Sequence, residues 1–477
     1  MADTRRRDFI GSLTLGAGAL TVPELGSGRE ARPNIIVILA DDQGFGDSSV
    51  LPHDMGIAMP NLDRLARGGI AFTQGYASAP MCTPSRGGLL SSRAPSRLGI
   101  YNVDTDSAVG LPKGEKIAPE YLKELGYATG LIGKWHLGGE IDAFRYNYPL
   151  NKGFDRFWGF MNSTHDYWEA DIGSTNTAIG YVNPGRSPIY DQEQPVKSIK
   201  YLTDELTDRS IEFIEANKDR PFFLYLPYNA VHGPYQAPKE VYDKYAPLNY
   251  GRPVTLTRAM YDVLDQGIGR ILDKLDELQL ARNTLIIYSA DNGGDPGKAN
   301  WKLRGQKFTM MEGGIRVPTV MRWPARLPAN RVYGHPVVNL DYLPTMLAAA
   351  GGRLDSKFEG VNLLPYLLGE KREAPHTLFY WKTGPRHFAI RDGDWKLAYT
   401  PIGQGLFNLR EDPFELSDRR KDNPRMVARL EALYRDWDAH NAPPAYDLFL
   451  KTYGAPKRPH PEAGLRRYSS SFGGNQP

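Results

Sequence analysis

The sequence has one cysteine, Cys82, in 477 residues, which rules out an intramolecular disulfide and leaves stability to an ordinary core. It has no uninterrupted apolar run approaching the roughly 18–20 residues that a spanning helix needs, so no membrane span is expected. It has little excess charge of either sign: 58 Lys and Arg against 55 Asp and Glu leave +3, short of the basic balance of a dedicated nucleic-acid binder, and no nucleic-acid partner is expected. Apolar residues are not scarce. At 41% hydrophobic and 11% aromatic the chain is globular and not disordered, and its length favours one large domain with an appendage.

At the N-terminus, Arg6 and Arg7, followed by one residue and Phe9, precede a mildly apolar stretch from Ile10 to Val22, with Ala17-Gly18-Ala19 as a small-residue cleavage candidate. The order reads as a twin-arginine-type export signal and linker over residues 1–32, and implies a periplasmic or secreted protein handled by export machinery. No cysteine near Ala19 offers a lipid-anchor site.

From Pro33 onward, short β-branched or aromatic runs alternate with helical patterns, the order of an α/β fold with a mostly parallel sheet sandwiched by helices. Strands are expected at Asn34 to Ala40, Ala128 to Ile132, Pro221 to Tyr228, Thr284 to Ala290 and Val317 to Trp323. Helices are expected near Asn61 to Ala66, Pro119 to Leu125, Thr207 to Asn217 and Arg258 to Leu280. Between Pro375 and Asp418 the texture changes to short strands (Thr377 to Trp381, His387 to Arg391, Trp395 to Thr400), followed by a helix from Pro424 to His440. The implied division is a catalytic domain at 33–374, a small C-terminal antiparallel sheet plus helix at 375–455, and a Pro-, Arg-, Ser- and Gly-rich tail at 456–477.

Groups capable of chemistry follow four of these strands: Asp41-Asp42, Lys134 and His136, His232, and Asp291-Asn292. Strand carboxyl ends line the ligand crevice of open α/β sheets, so these groups from distant parts of the chain are expected to converge. Singly, Asp41-Asp42 and Asp291-Asn292-Gly293-Gly294 also fit turns, the two histidines fit structural hydrogen bonding, and Lys134 fits a solvated surface. Jointly, three carboxylates and an amide oxygen suit a hard divalent cation such as calcium or magnesium and suit zinc poorly. Around the sole thiol, Cys82-Thr83-Pro84-Ser85-Arg86 reads as a helix start, with Thr83 as cap, Pro84 at the first helical position and Cys82 just outside. A small buried cysteine is the bland reading. A cysteine-nucleophile hydrolase is a further one, poorly matched to a hard cation beside the thiolate.

Cys82-x-Pro84-x-Arg86, extended to Gly87, Leu89 and Arg93, resembles the signature of type I sulfatases, members of the alkaline-phosphatase-like superfamily. In family order the chain also has Asp41-Asp42-Gln43-Gly44-Phe45-Gly46-Asp47, Gly133-Lys134-Trp135-His136-Leu137-Gly138, His232-Gly233-Pro234, Asp291-Asn292-Gly293-Gly294 and Leu303-Arg304-Gly305-Gln306-Lys307. The resemblance implies that a formylglycine-generating enzyme oxidises Cys82 to formylglycine, whose hydrated aldehyde attacks sulfate ester sulfur. It further implies that Asp41, Asp42, Asp291, Asn292 and modified Cys82 hold calcium, with magnesium the alternative. Arg86 would anchor the formylglycine, Lys134 and Lys307 would bind sulfate oxygens, His136 would manage the hydrate proton, and His232 would assist departure of the alcohol. Where family members commonly read Gly-Gly-Lys-Gly-Thr-Thr-aromatic-Glu-Gly-Gly, this chain has Gln306, Phe308 and Met311, which leaves the chemistry and alters the pocket wall.

The expected activity is a sulfuric ester hydrolase acting on sulfated carbohydrate, with His165, Trp168 and Trp301 as candidate substrate contacts. The alternatives are an arylsulfatase, a phosphonate or phosphate ester hydrolase with the same machinery, and a non-enzymatic glycan-binding relative with unmodified Cys82.

Overall fold

The structure, a computed structural model, describes residues 32–50, 57–103, 109–170, 188–295, 300–445, 447 and 451. The expected export signal, all but residue 32, and the expected tail at 456–477 lie outside the described residues.

The main sheet is built from β1 (Asn34–Ala40), β2 (Ile70–Phe72), β4 (Ala128–Lys134), β5 (Arg156–Phe160), β6 (Tyr190–Asp191), β7 (Gln194–Pro195), β8 (Phe222–Pro227), β9 (Thr284–Ala290), β10 (Val320–Arg322) and β11 (Arg331–Tyr333); β3 (Gly75–Tyr76) pairs separately with β12 (Val337–Val338). The order is β11-β2-β10-β9-β1-β8-β4-β5-β6-β7, parallel through the centre from β9 to β5 and antiparallel where β10 and β6 join. The central strands read as continuous apolar runs because both faces are covered. Along β1, Ile35, Val37 and Leu39 enter one core, with Leu89 and Leu90 of the Cys82–Ser91 helix, Leu122 and Met346. Ile36, Ile38 and Ala40 enter the other, with Leu62, Leu206, Phe213, Met260 and Leu264 of the helices Pro60–Arg67, Leu202–Ala216 and Arg252–Glu277.

Expected and observed elements differ mostly in extent. The helix expected from Arg258 begins at Arg252, and the one expected from Thr207 begins at Leu202. The Val317 to Trp323 segment shortens to β10 and runs antiparallel to β9.

The C-terminal sheet β13 (Leu378–Lys382), β14 (Phe388–Asp392), β15 (Trp395–Thr400) and β16 (Gly403–Asn408) is antiparallel throughout. Alternation gives it two buried faces. Trp381, Ala389, Ala398 and Phe407 pack on Tyr76, Met310, Met311 and Ile315 of the main body, while Ile390, Leu397 and Leu406 pack on Leu430 and Tyr434 of the helix Pro424–Asp438.

Candidate active site

The strands β9, β1, β8 and β4 are neighbours, so their carboxyl ends lie side by side and the residues beyond them share one crevice. Asp41 and Asp42 follow β1, Asp291 and Asn292 follow β9, His232 lies in the loop after β8, and Lys134 closes β4 with His136 just beyond. Two glycines allow the loops to close in. A Cβ on Gly133, at φ 132°, would stand 2.1 Å from the Pro227 carbonyl oxygen, and one on Gly293 would stand 1.9 Å from that of Gly313.

Ligand atoms of Asp41, Asp42, Cys82 and His232 all lie within 4.8 Å of one another. Cys82 Sγ is 3.7 Å from Asp41 Oδ1 and 4.0 Å from Asp42 Oδ1. Arg86 donates to Asp291 Oδ2 from Nε at 3.1 Å and Nη2 at 2.8 Å, and from Nη1 to the Lys134 carbonyl at 3.0 Å. Lys134 Nζ lies 2.5 Å from Asp41 Oδ2, and Lys307 Nζ 2.7 Å from Asp42 Oδ1. Three buried carboxylates therefore meet three buried cations. His232 Nε2 stands 3.4 Å from Asp42 Oδ2 with 17% of its side chain exposed, which puts it on the accessible side of the cluster.

The electrostatics follow from this burial. Desolvation pushes the Cys82 thiol far above its ordinary range, so the unmodified side chain is a neutral, weak nucleophile. Desolvation, then the neighbouring Asp41, raises Asp291. His136 is held well below the usual histidine range, first by burial and then by Lys134 and Arg86, and neither ring nitrogen has a hydrogen-bond partner among the described residues. Burial is the largest single influence and opposes the Lys307 and Arg86 cations, but the surrounding acidic groups, led by Asp42 for the first and Asp291 for the second, together outweigh it and hold both raised.

Asn292 tests the site's suitability for a metal ion. Its Nδ2 donates to Asp42 Oδ1 and to the Gly293 carbonyl, each at 2.8 Å, while its Oδ1 is buried without a hydrogen-bond partner among the described residues. An open amide oxygen beside carboxylates fits a hard divalent cation. Asp291, an expected ligand, already accepts from the Asp42 N–H at 3.1 Å through Oδ1 and from Arg86 through Oδ2, and lies outside the close group of Asp41, Asp42, Cys82 and His232. With the carboxylates already balanced by Arg86, Lys134 and Lys307, a divalent ion leaves the site net positive and suited to an anion.

Two expectations change. The helix starts at Cys82 itself, with Ser85 N–H bonded to the Met81 carbonyl at 3.1 Å; Thr83 falls inside the first turn, where its hydroxyl caps nothing among the described residues. The second concerns His165, whose segment lies against the His232 loop through the Tyr167 hydroxyl, which donates to the His232 carbonyl at 2.9 Å. His165 is 0% exposed and packs 5.2 Å from the Phe160 ring, which leaves it no surface for a substrate. Trp168, 44% exposed, lies 5.0 Å from Tyr201, and Trp301 packs edge-on to Phe414 at 5.1 Å.

Asn339 carried no readable signal in the sequence, and Gln43 and Asp47 stood in the motif after β1 without an assigned role. Asn339 accepts from Ser78 N–H at 3.0 Å and donates to the Ser85 hydroxyl at 2.9 Å, fixing both sides of Cys82 from about 250 residues away. Gln43 accepts from the Tyr288 hydroxyl at 2.5 Å, and Asp47 from the Tyr261 hydroxyl at 2.9 Å, bracing the turn after β1.

Residues 33–352 match the family model described as Sulfatase. The chain belongs to the sulfatase family. This sulfatase, and hence sulfuric ester hydrolase, also matches the model for N-sulphoglucosamine sulphohydrolase, C-terminal, over residues 301–435. It is 33% identical to arylsulfatase A of Bos taurus, covering 80% of this chain and 77% of that protein, and 31% identical to steryl-sulfatase of Homo sapiens, covering 85% and 86%. Among solved structures it resembles Ps i-CgsB, with a TM-score of 0.80 and 30% identity over 92% of this chain and 98% of that one; the same protein has been solved in complex with k-i-k-neocarrahexaose. Phe308, which replaces the family's usual glycine, holds φ at 71°, a left-handed conformation that glycine adopts freely.

Proposed function

We propose that this sulfatase removes sulfate from sulfated carbohydrate, using a formylglycine made from Cys82 and a divalent cation held by Asp41, Asp42, Asp291, Asn292 and the modified Cys82. Calcium is the first choice and magnesium the alternative. The observation that carries the reading is the buried cluster of three carboxylates, the open Asn292 Oδ1 and the Cys82 side chain, ringed by Arg86, Lys134 and Lys307. When present, the formylglycine hydrate supplies a nucleophilic oxygen and the cation supplies charge.

This chain's residues do the rest. Lys134 and Lys307 hold the sulfate oxygens and offset charge in the transition state, and Arg86 orients the modified side chain. His136, kept neutral by burial and neighbouring cations, is suited to accept the proton of the hydrate. His232, on the accessible side, is suited to protonate the departing alcohol. The Ps i-CgsB complex with an oligosaccharide supports a carbohydrate substrate, and the Arg6-Arg7 motif supports export to the periplasm or beyond. The domain limits 33–374 and 375–455 belong to the same proposal.

The test is the mass of the tryptic peptide carrying Cys82, from protein made alongside a formylglycine-generating enzyme, followed by assay on sulfated glycans and matched sulfate and phosphate esters. An aldehyde mass with sulfate release from a glycan supports the reading. An unmodified thiol, while a control sulfatase is converted in the same cells, overturns it, and release from aryl esters alone overturns the carbohydrate assignment.

A further inference from the structure

A cavity of about 410 Å³ opens between the main body and the C-terminal sheet, and no residue of the Cys82 cluster lines it. Tyr76, Glu312 and Arg391 are its buried wall, Arg316 stands beside them, and the exposed His335 and Arg410 mark its mouth. Three guanidinium groups thus line a space with two carboxylates, Glu312 and Asp394, and both carboxylates are engaged. Glu312 accepts from the Tyr76 hydroxyl at 2.7 Å and from Lys396 Nζ at 2.8 Å, and Asp394 lies 2.9 Å from Arg410 Nε.

Arg391 is 3% exposed and commits its donors to neutral acceptors: Nε to the Gly393 carbonyl at 2.8 Å, Nη1 to the Tyr76 hydroxyl at 2.7 Å and Nη2 to Gln74 Oε1 at 2.8 Å. A guanidinium carries five N–H hydrogens, so two remain for a ligand. Arg316 Nε bonds the Thr73 carbonyl at 2.9 Å, and its Nη1 lies 3.6 Å from Glu312 Oε2. One buried guanidinium with unused donors, an excess of three guanidiniums over two carboxylates and a volume in the range of small-molecule pockets are features of an oxyanion site.

We propose that this cavity is a second oxyanion site that takes a sulfate group, either free sulfate released by the reaction or a sulfate carried on a sugar. It shares backbone with the catalytic loops. Tyr76 opens the segment leading to Cys82, and the helix Glu312–Ile315 contains Gly314, whose carbonyl accepts from Gly293 N–H at 3.0 Å next to Asn292. A bound anion therefore braces segments that carry parts of the candidate active site.

The test is calorimetric titration of the full chain with sodium sulfate at constant ionic strength, and separately with galactose 6-sulfate. Two binding events are expected. The double variant Arg410→Glu/His335→Glu, at the exposed mouth, should weaken one by about tenfold or more, with circular dichroism and the initial turnover in sulfate-free buffer unchanged, while Lys307→Ala removes the other. Arg391→Lys, which keeps charge and loses the fork, should weaken the same event as the mouth variant. Binding of sulfate alone identifies free sulfate as the ligand, and binding of both identifies the sugar-borne group. A single event that Lys307→Ala abolishes and the mouth variant leaves unchanged overturns the proposal. An unmodified Cys82 overturns the formylglycine reading and leaves this second event intact, so the two failures are distinguishable.

Discussion

Cys82 is a buried thiol among carboxylates, held protonated by that burial, and in the proposed reading it acts only after conversion to formylglycine. Cys82→Ala should fold normally and lose about 10³-fold or more in kcat; steady-state assay beside thermal melting checks it, and retained turnover would remove the residue from the mechanism. Asn292→Ala deletes the open amide oxygen, and calcium affinity measured by calorimetry should fall about tenfold. Unchanged affinity would take Asn292 out of the donor set. Lys134→Ala should lower kcat by about 10²–10³-fold through loss of charge beside the sulfate. The residue types at these positions were legible because four separate motifs each follow a strand. The contacts were not: Arg86 bonds both Asp291 and the Lys134 carbonyl, and only the folded sheet makes those neighbours.

At the scale of elements, the C-terminal sheet is tied to the body through Glu312, Lys396 and Glu415, all buried. Lys396 Nζ lies 2.8 Å from Glu312 and 2.9 Å from Glu415. Burial works against the Glu312 carboxylate, but Lys396, Arg316 and Arg391 outweigh it and bring it to about 2. Burial dominates at Glu415, with Glu312 adding, and raises it to about 7. The two contribute with opposite sign. Glu312 stabilises the fold above its ordinary 4.5, and that contribution is lost as pH falls toward 2. Glu415 stabilises below 4.5 and its contribution is lost as pH rises through 7. Glu415→Gln should therefore flatten the decline of Tm between about pH 4.5 and 7; an unaltered slope would sink the assignment. Lys396→Met leaves Glu312 without its main partner and should cost about 3 kcal/mol in chemical denaturation. The three strands and the helix of this region were readable from their alternation and spacing, whereas β16, with Gly403 and Gly405 in its run, has a weaker pattern.

For the whole molecule, one buried cysteine means that no disulfide supports the fold, so Tm should be unchanged by dithiothreitol; a shift would reveal an intermolecular bond. No helix among the described residues is long and apolar enough to cross a membrane. By itself the sequence determined the alternation of strands and helices, the apolar runs of the central strands and the motif residues at their ends, because these depend on local pattern and on residue type. The tertiary structure alone decided which strands are neighbours, and hence that β9, β1, β8 and β4 pool their terminal residues in one crevice. It also decided that His165 is core and that Asn339 fixes the Cys82 helix. Those outcomes depend on packing between segments far apart in the chain, which no local pattern encodes.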